Sequence, residues 1–287
     1  MKEYFCLNGD ITNNLYFYQL IEGFDNETEN NNIWLYWENK PGYKKPDYLN
    51  LCFKTINRNC SKNFKINLLD ENSVKEYIPN LRNDLDEKLN IPQKTDYIRL
   101  KLLHLYGGIW LDSDIIILKD LSEIIKKLDT HDFVGFGCHH IECTKNGDGY
   151  PNPANWVFAA KKGSILMKSC IDECDKILNE NDESYFRIDY HVLGRKLLWG
   201  KIKELQRQNW DYYHYNSYCI ERDSSFNKYV NKRLISDEDH DINCENSLFV
   251  PIYNTAPGFP DWFLNMNESE HINSNTLFSK LIKKALK

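Results

Sequence analysis

The sequence has no run of about 18 consecutive apolar residues, the length a helix needs to cross a bilayer. Its opening, MKEYFCLNGDITNN, has no apolar h-region of the kind that directs secretion. The expectation is a soluble, cytoplasmic protein without a transmembrane segment. A basic excess is also missing: 36 Lys and Arg face 42 Asp and Glu, for a formal net charge of −6. Binding nucleic acid or acidic lipid would demand a local positive patch that this composition does not supply, so nucleic acid is not an expected partner. Internal repeats, Gly/Ser or Pro linkers and long charge blocks are absent, and nothing marks a domain boundary. At 287 residues the chain is long enough to bury a full core, and one large domain is the simplest reading. The nine cysteines are odd in number and widely spread. They read as free thiols in a reducing compartment, not as a disulfide framework.

The first 30 residues end in a polar DNETENNN stretch. IWLYW (33–37) is apolar throughout, as a strand covered on both faces would be. DYLNLCFKTINR has helical periodicity through Leu49, Cys52, Phe53 and Ile56, and NFKINLLD alternates as a second strand. SVKEYIPNLRNDLDEKLNI reads as helix broken at Pro79 and Pro92. KTDYIRLKLLHLY reads as a helix stopped by Gly107 and Gly108, and IWLDSDIIIL (109–118) as one strand. This alternation predicts an α/β fold with a mainly parallel sheet and helices on both faces. Beyond it come LSEIIKKLD (helix), DFVGFG (strand), a Cys/His/Gly-rich loop and NWVFAA (strand). SILMKSCIDECDKILN and DYHVLGRKLLWGKIKEL read as helices, and an irregular aromatic stretch then leads to the basic amphipathic helix SNTLFSKLIKKALK.

The informative segment is TDYIRLKLLHLYGGIWLDSDIIIL, residues 95–118. On a helical wheel Asp96 and Arg99 fall with Leu100 and Leu103, so two charges stand on a largely apolar surface, where an unpaired charge is costly. A simple i,i+3 pair near the helix start is the plain alternative. In the following strand Asp112 and Asp114 interrupt an apolar run at i and i+2, positions that share a face in a regular strand. Two anions so placed repel unless something positive lies between them, and a hard divalent cation bound through oxygen would answer that; a turn-forming Asp-Ser-Asp at a strand end is the plain alternative.

D-x-x-R, a Tyr-Gly-Gly turn and an apolar strand carrying D-x-D, as in TDYIRLKLLHLYGGIWLDSD, resemble the DXD-motif sugar-binding glycosyltransferases. That group includes yeast-type α-mannosyltransferases, α-galactosyl- and N-acetylglucosaminyltransferases, capsular polysaccharide synthesis proteins and, more distantly, the large clostridial glucosylating toxins. IWLYWENKPGYKKPDYLNLCFKTI resembles the opening strand, aromatic loop and helix of the same group, so about the first 120 residues carry the likeness.

The resemblance implies a GT-A fold: an α/β, Rossmann-like mixed and mainly parallel sheet flanked by helices, with an irregular aromatic-rich C-terminal part. It implies a single domain over 1–287, with a nucleotide-sugar-binding half at about 30–120 and a donor- and acceptor-binding half at about 121–287. The implied activity is metal-dependent transfer of a hexose-type sugar to a glycan or other hydroxyl acceptor, with retention of anomeric configuration. UDP-sugars are the favoured donors and GDP-mannose the alternative. Mn²⁺ or Mg²⁺ would bridge the D-x-D and the donor diphosphate.

By position, the resemblance makes Asp114 the direct metal ligand, and Asp112 a contact to ribose or to the metal through water. Asp96 and Arg99 would hold the sugar hydroxyls and the diphosphate. Asp112, Asp114 and Arg99 are the catalytic candidates, and Ser113 lies between the acids in the donor site. Trp37 matches an aromatic that stacks near the nucleotide base, with a core tryptophan as the other reading, and Asn155 matches an Asn beside the donor sugar. His271 is the candidate third metal ligand, although Asn273, Ser274 and Asn275 stand where relatives have Ser-Trp; Glu270 and Asn273 are substitutes. No general base is assigned, since the departing phosphate oxygen can take the acceptor proton. Asp189 and Asp261, in RIDYHVLG and GFPDWF, complete the substrate-binding candidates, each with an ordinary cap or loop role as its alternative.

Other chemistries fit less well. CHHIEC (138–143) offers zinc-type ligands, but its two Cys are five apart and no companion pair lies at finger spacing; a loop over the donor site, with Gly147 and Gly149, is the better reading. Phosphotransferases with an aspartyl nucleophile want D-x-D-x-T near the start of their fold, whereas here Ile115 and Ile116 follow mid-chain. A catalytically silent carbohydrate-binding relative would have no need to keep two anions in a core strand.

Overall fold

The computed structural model describes residues 31–39, 42–137, 152–215, 234–237, 247–252 and 259–287. The apolar run at 33–36 forms β1 (Asn32–Tyr36), which is buried on both faces. Helix α1 (Asp47–Cys60) follows, then β2 (Lys65–Leu69), two short helices α2 (Val74–Tyr77) and α3 (Leu85–Lys88), and the long α4 (Ile91–Tyr106). After α4 come β3 (Gly108–Leu111), β4 (Ile115–Ile117), α5 (Ser122–Leu128), β5 (Phe133–Gly137) and β6 (Pro153–Ala160). The remainder is α6 (Ile165–Glu180), α7 (Glu183–Ile188), α8 (Arg195–Gln206), β7 (Tyr213–Tyr215), β8 (Phe249–Pro251), α9 (Asp261–Leu264), α10 (Glu268–Asn273) and α11 (Leu277–Ala285).

Six strands form one sheet in the order β2-β1-β3-β6-β5-β7. Three neighbour pairings are parallel and the two made by β6 are antiparallel. This is the mixed, mainly parallel α/β sheet expected from the strand and helix alternation. Side chains alternate faces along a strand, and the core divides accordingly. Ile33 and Leu35 join Ile109, Leu111, Val157 and the α5 residues Ile124 and Leu128 on one face. Trp34, Tyr36, Trp110 and Phe158 join the apolar residues of α4, α6 and α8 on the other. A third cluster packs α1 against α9, α10 and α11 and the small antiparallel sheet of β4 with β8. No helix among the described residues is long and apolar enough to cross a membrane.

Three expectations change. IWLDSDIIIL is not one strand: β3 ends at Leu111, and β4 belongs to the separate two-stranded sheet. Between them the Asp112 N–H donates to Trp156 O (2.9 Å), Ser113 Oγ donates to Tyr36 O (2.9 Å) and Asp114 O accepts from Ile252 N–H (2.9 Å). The chain is thereby drawn off the sheet at the two acids, so the same-face rule for a regular strand does not place them. Pro92 does not break a helix. It sits in the first turn of α4, where no intrahelical N–H is needed, behind an Asn90 and Gln93 capping box. Finally, DYHVLGRK does not open a helix at Asp189; α7 ends at Ile188 and α8 starts only after Gly194. CHHIEC and the glycines that follow it lie outside the described residues.

The Tyr-Gly-Gly turn has a steric cause. Gly107 (φ 67°) and Gly108 (φ 106°) both have left-handed backbone, and a Cβ on Gly108 would collide with the carbonyl oxygen of Asn32 at the start of β1. The turn thus sets α4 directly against β1, and Trp34 Nε1 donates to Gly107 O (2.8 Å). Gly108→Ala is expected to destabilise the fold by about 2 kcal/mol or more through strain and that backbone clash. Urea denaturation measures this, and a change within about 0.5 kcal/mol would contradict the steric account.

Candidate functional site

The site is built where α4 crosses the ends of β3 and β6. The α4 face that packs on Trp34 and Trp110 carries Asp96 and Arg99 one turn apart, both buried. A lone guanidinium there would be prohibitive; Arg99 has partners on both terminal nitrogens, while its buried Nε has none among the described residues. Its Nη2 lies 3.3 Å from Asp96 Oδ1 and 3.2 Å from Asp112 Oδ1, its Nη1 donates to Asn155 O, and its Cζ sits 5.0 Å from the centre of the Trp110 ring. Asn155 closes the ring of contacts, donating through Nδ2 to Asp96 Oδ1 (2.8 Å). Trp110 Nε1 donates to Asp112 Oδ1 (2.9 Å). Four sequence candidates, Asp96, Arg99, Asp112 and Asn155, therefore form one network.

The electrostatics are those of acids withdrawn from water beside one cation. Burial pushes the Asp96 carboxyl up to about 6, against the pull of Arg99 and the Asn155 hydrogen bond, with the charge of Asp112 adding to the rise. Asp112 is raised too, by desolvation in its recess, with Arg99 and Trp110 opposing. A third of the Asp112 side chain (33%) still reaches water, so its recess is open to a ligand. Both of its hydrogen-bonding contacts use Oδ1, which leaves Oδ2 without a partner among the described residues. The charge of Asp114 adds to burial in raising the Tyr48 hydroxyl and the Cys52 thiol of α1.

The other candidates are placed differently. The Ser113 hydroxyl is committed to the end of β1 and its side chain is buried, so it ties the turn to the sheet. Trp37 lies just past β1, partly buried against the α1 cluster, with Nε1 donating to Asn39 Oδ1 (2.9 Å). Asp189 pairs with Lys196 (2.5 Å) and accepts from the His191 N–H (3.0 Å), contacts that hold its carboxyl below the usual range. Asp261 stands exposed in the first turn of α9. His271 is fully buried among Tyr48, Phe263 and Phe278, neither ring nitrogen has a hydrogen-bond partner among the described residues, and burial pushes its pKa down. Among the described residues no three His, Cys, Asp or Glu side chains gather to hold a metal ion, so the expected set of Asp112, Asp114 and His271 is not assembled. Glu270 caps α10 through Asn267, and Asn273 donates to Ser269 Oγ (3.3 Å).

Two neighbours were missed by sequence reasoning. Trp110 looked like an ordinary core residue, yet it supports both Arg99 and Asp112. Gly194 leaves no room for a side chain, since a Cβ there would strike the Asp96 carboxylate and Asn155 Nδ2. A glycine just ahead of a helix that lacks a side-chain cap was the available signal.

The buried network fixes a pH signature. The folded state holds the Asp96 proton up to about pH 6, whereas the unfolded chain releases it near its ordinary 3.8. This group therefore favours the folded state fully below about pH 4, and its contribution is lost as pH rises through 6. Carboxyl carbon-13 NMR is expected to give an Asp96 midpoint near 6, moving higher in Arg99→Met. A midpoint near 4, or one unmoved by that substitution, would contradict the electrostatic reading.

The family model for "Capsular polysaccharide synthesis protein" matches residues 3–241. A search of curated proteins gives no match. Among solved structures, the chain is similar to the PaToxG glycosyltransferase at 12% identity, with 68% of this chain and 80% of that chain covered and a TM-score of 0.41. It is similar to the glycosyltransferase GlyE of Streptococcus pneumoniae TIGR4 at 13% identity, covering 90% of this chain and 60% of that one, with a TM-score of 0.42. For the galactosyltransferase LgtC in complex with donor and acceptor sugar analogs, the values are 14% identity, 60% and 70% coverage, and a TM-score of 0.36. With a family model matching well over half of its length, the chain belongs to the capsular polysaccharide synthesis protein family.

Proposed function

We propose that the protein is a metal-dependent glycosyltransferase that moves a hexose-type sugar from a nucleotide-sugar to a glycan or other hydroxyl acceptor. A UDP-sugar is the favoured donor and GDP-mannose the alternative. The observation that carries the reading is the Arg99 network: one buried cation gathers Asp96 and Asp112 at the edge of an α/β sheet, next to a turn that also holds Asp114. Open α/β sheets bind ligands at such strand ends.

Mn²⁺ or Mg²⁺ suits the residues present. Asp112 Oδ2 has no partner among the described residues, Asp114 follows two positions later, and both offer hard oxygen. Ions of this type commonly use one or two carboxylates and fill their remaining positions with water and substrate phosphate, so a third protein ligand is not required. When bound, the ion supplies Lewis-acid neutralisation of the charge that develops on the leaving nucleoside diphosphate.

The chain's own residues do the rest. Asp96 accepts hydrogen bonds from the sugar hydroxyls, and Asn155 fixes the orientation of that carboxylate. Arg99 holds Asp96 and Asp112 in register and adds positive potential beside the diphosphate. In the reaction the bond from anomeric carbon to phosphate oxygen breaks and a bond to the acceptor oxygen forms on the same face. The acceptor hydroxyl proton passes to the departing phosphate oxygen, so retention needs no protein base.

Thermal denaturation with UDP-glucose, UDP-galactose and GDP-mannose tests this. With Mn²⁺, one donor at about 100 times its Kd is expected to stabilise the protein by about 2.7 kcal/mol, a rise of several degrees in Tm. Without the metal the rise should vanish. Asp114→Ala should abolish transfer of the sugar while leaving the ligand-free Tm within a few degrees. Metal-independent binding, or full activity in Asp114→Ala, would overturn the assignment.

A further inference from the structure

The segment between α7 and α8 is fastened along α4 at two points. Gln93 Nε2 donates to Asp189 O (3.2 Å) and to Phe186 O (2.8 Å), and three residues further along α4 Asp96 abuts Gly194. Residues 189–194 therefore run beside the acids of the site. Within the segment, Asp189 is occupied by Lys196 and the His191 N–H. Leu193 is buried, and the His191 ring meets the edge of Tyr190 at 4.9 Å between centroids. Tyr190 is different: 44% of it is exposed, although the charges of Asp96, Asp112, Asp114 and Arg99 all act on its hydroxyl, which burial and the three acids push up to about 12. Apart from its contact with His191, much of this ring is left open to solvent on a segment that runs beside the acids of the site.

We propose that Tyr190 presents its ring to the face of the sugar that Asp96 holds, making it a substrate-contacting residue that selects for the sugar part of the donor. This rests on the glycosyltransferase reading above. The C–H face of a pyranose is apolar and pairs with an aromatic ring, while its hydroxyl edge is left for Asp96. The transferred sugar fits this position better than an acceptor ring, because the segment that carries Tyr190 is the one that touches Asp96 and Asn155 through Gly194. Asp189, a substrate-binding candidate from the sequence, has its carboxylate engaged by Lys196 and the His191 N–H.

Isothermal titration of the full chain with Mn²⁺ and UDP-glucose, UDP-galactose or GDP-mannose, each against its own nucleoside diphosphate, separates the possibilities. Tyr190→Ala is expected to weaken the sugar nucleotide roughly 3- to 10-fold and to leave the diphosphate alone within about 2-fold, and Tyr190→Phe should keep the wild-type affinity for both. Equal affinity of Tyr190→Ala and wild type for the sugar nucleotide overturns the proposal, as does an equal loss for donor and diphosphate. If the wild type binds none of these ligands with Mn²⁺, the glycosyltransferase reading falls, and the role of Tyr190 falls with it.

Discussion

A single buried guanidinium organises this protein's site. Arg99 draws Asp96 of its own helix, Asp112 at the end of β3 and the Asn155 carbonyl of β6 to one point, over the face of Trp110. Each partner alone would be a liability in an apolar setting; together they offset one another's charge, with Arg99 Nε left without a hydrogen bond among the described residues. Removing one side of such a buried pair typically costs about 3–5 kcal/mol, because the remaining charge is left uncompensated. The cluster therefore constrains the fold as well as the chemistry, fixing where α4 lies on the sheet and where the chain leaves β3.

That departure from the sheet leaves a third of the Asp112 side chain open to water beside Arg99. Three hydrogen bonds, from Asp112 N–H, Ser113 Oγ and Ile252 N–H, hold the turn between two sheets. The Tyr-Gly-Gly turn serves the same arrangement from the other end, letting α4 pack against β1 and so bringing Arg99 to the strand ends.

Much of this was legible in the sequence. Charges at 96 and 99 on an apolar helix, two glycines at its end and two acids after an apolar strand all marked the site, because burying charge is expensive enough to need a reason. Other features were not legible. Ile115, Ile116 and Ile117 have such strong β character that a continuous strand reads as a better fit than a turn at Asp-Ser-Asp; the pairing of β4 with β8, far along the chain, decides for the turn. Pro92 reads as a helix breaker, but the Asn90 cap two residues before it places it in the first turn of α4. His271 carried the chemistry of a metal ligand, but ring contacts with Tyr48, Phe263 and Phe278 place it in an aromatic core, a packing outcome no local spacing encodes. Asp189 carries a charge that draws attention in the sequence, but its pairing with Lys196, seven residues on, is seen only in the fold.

The central claim is that Arg99 and Asp112 act as one unit joining helix and strand end. A double-mutant cycle on folding stability, with Arg99→Met, Asp112→Asn and the combination, measures that link directly. A coupling of about 1–3 kcal/mol is predicted, with the double variant more stable than the sum of the single losses implies. Additivity within about 0.3 kcal/mol would contradict the account.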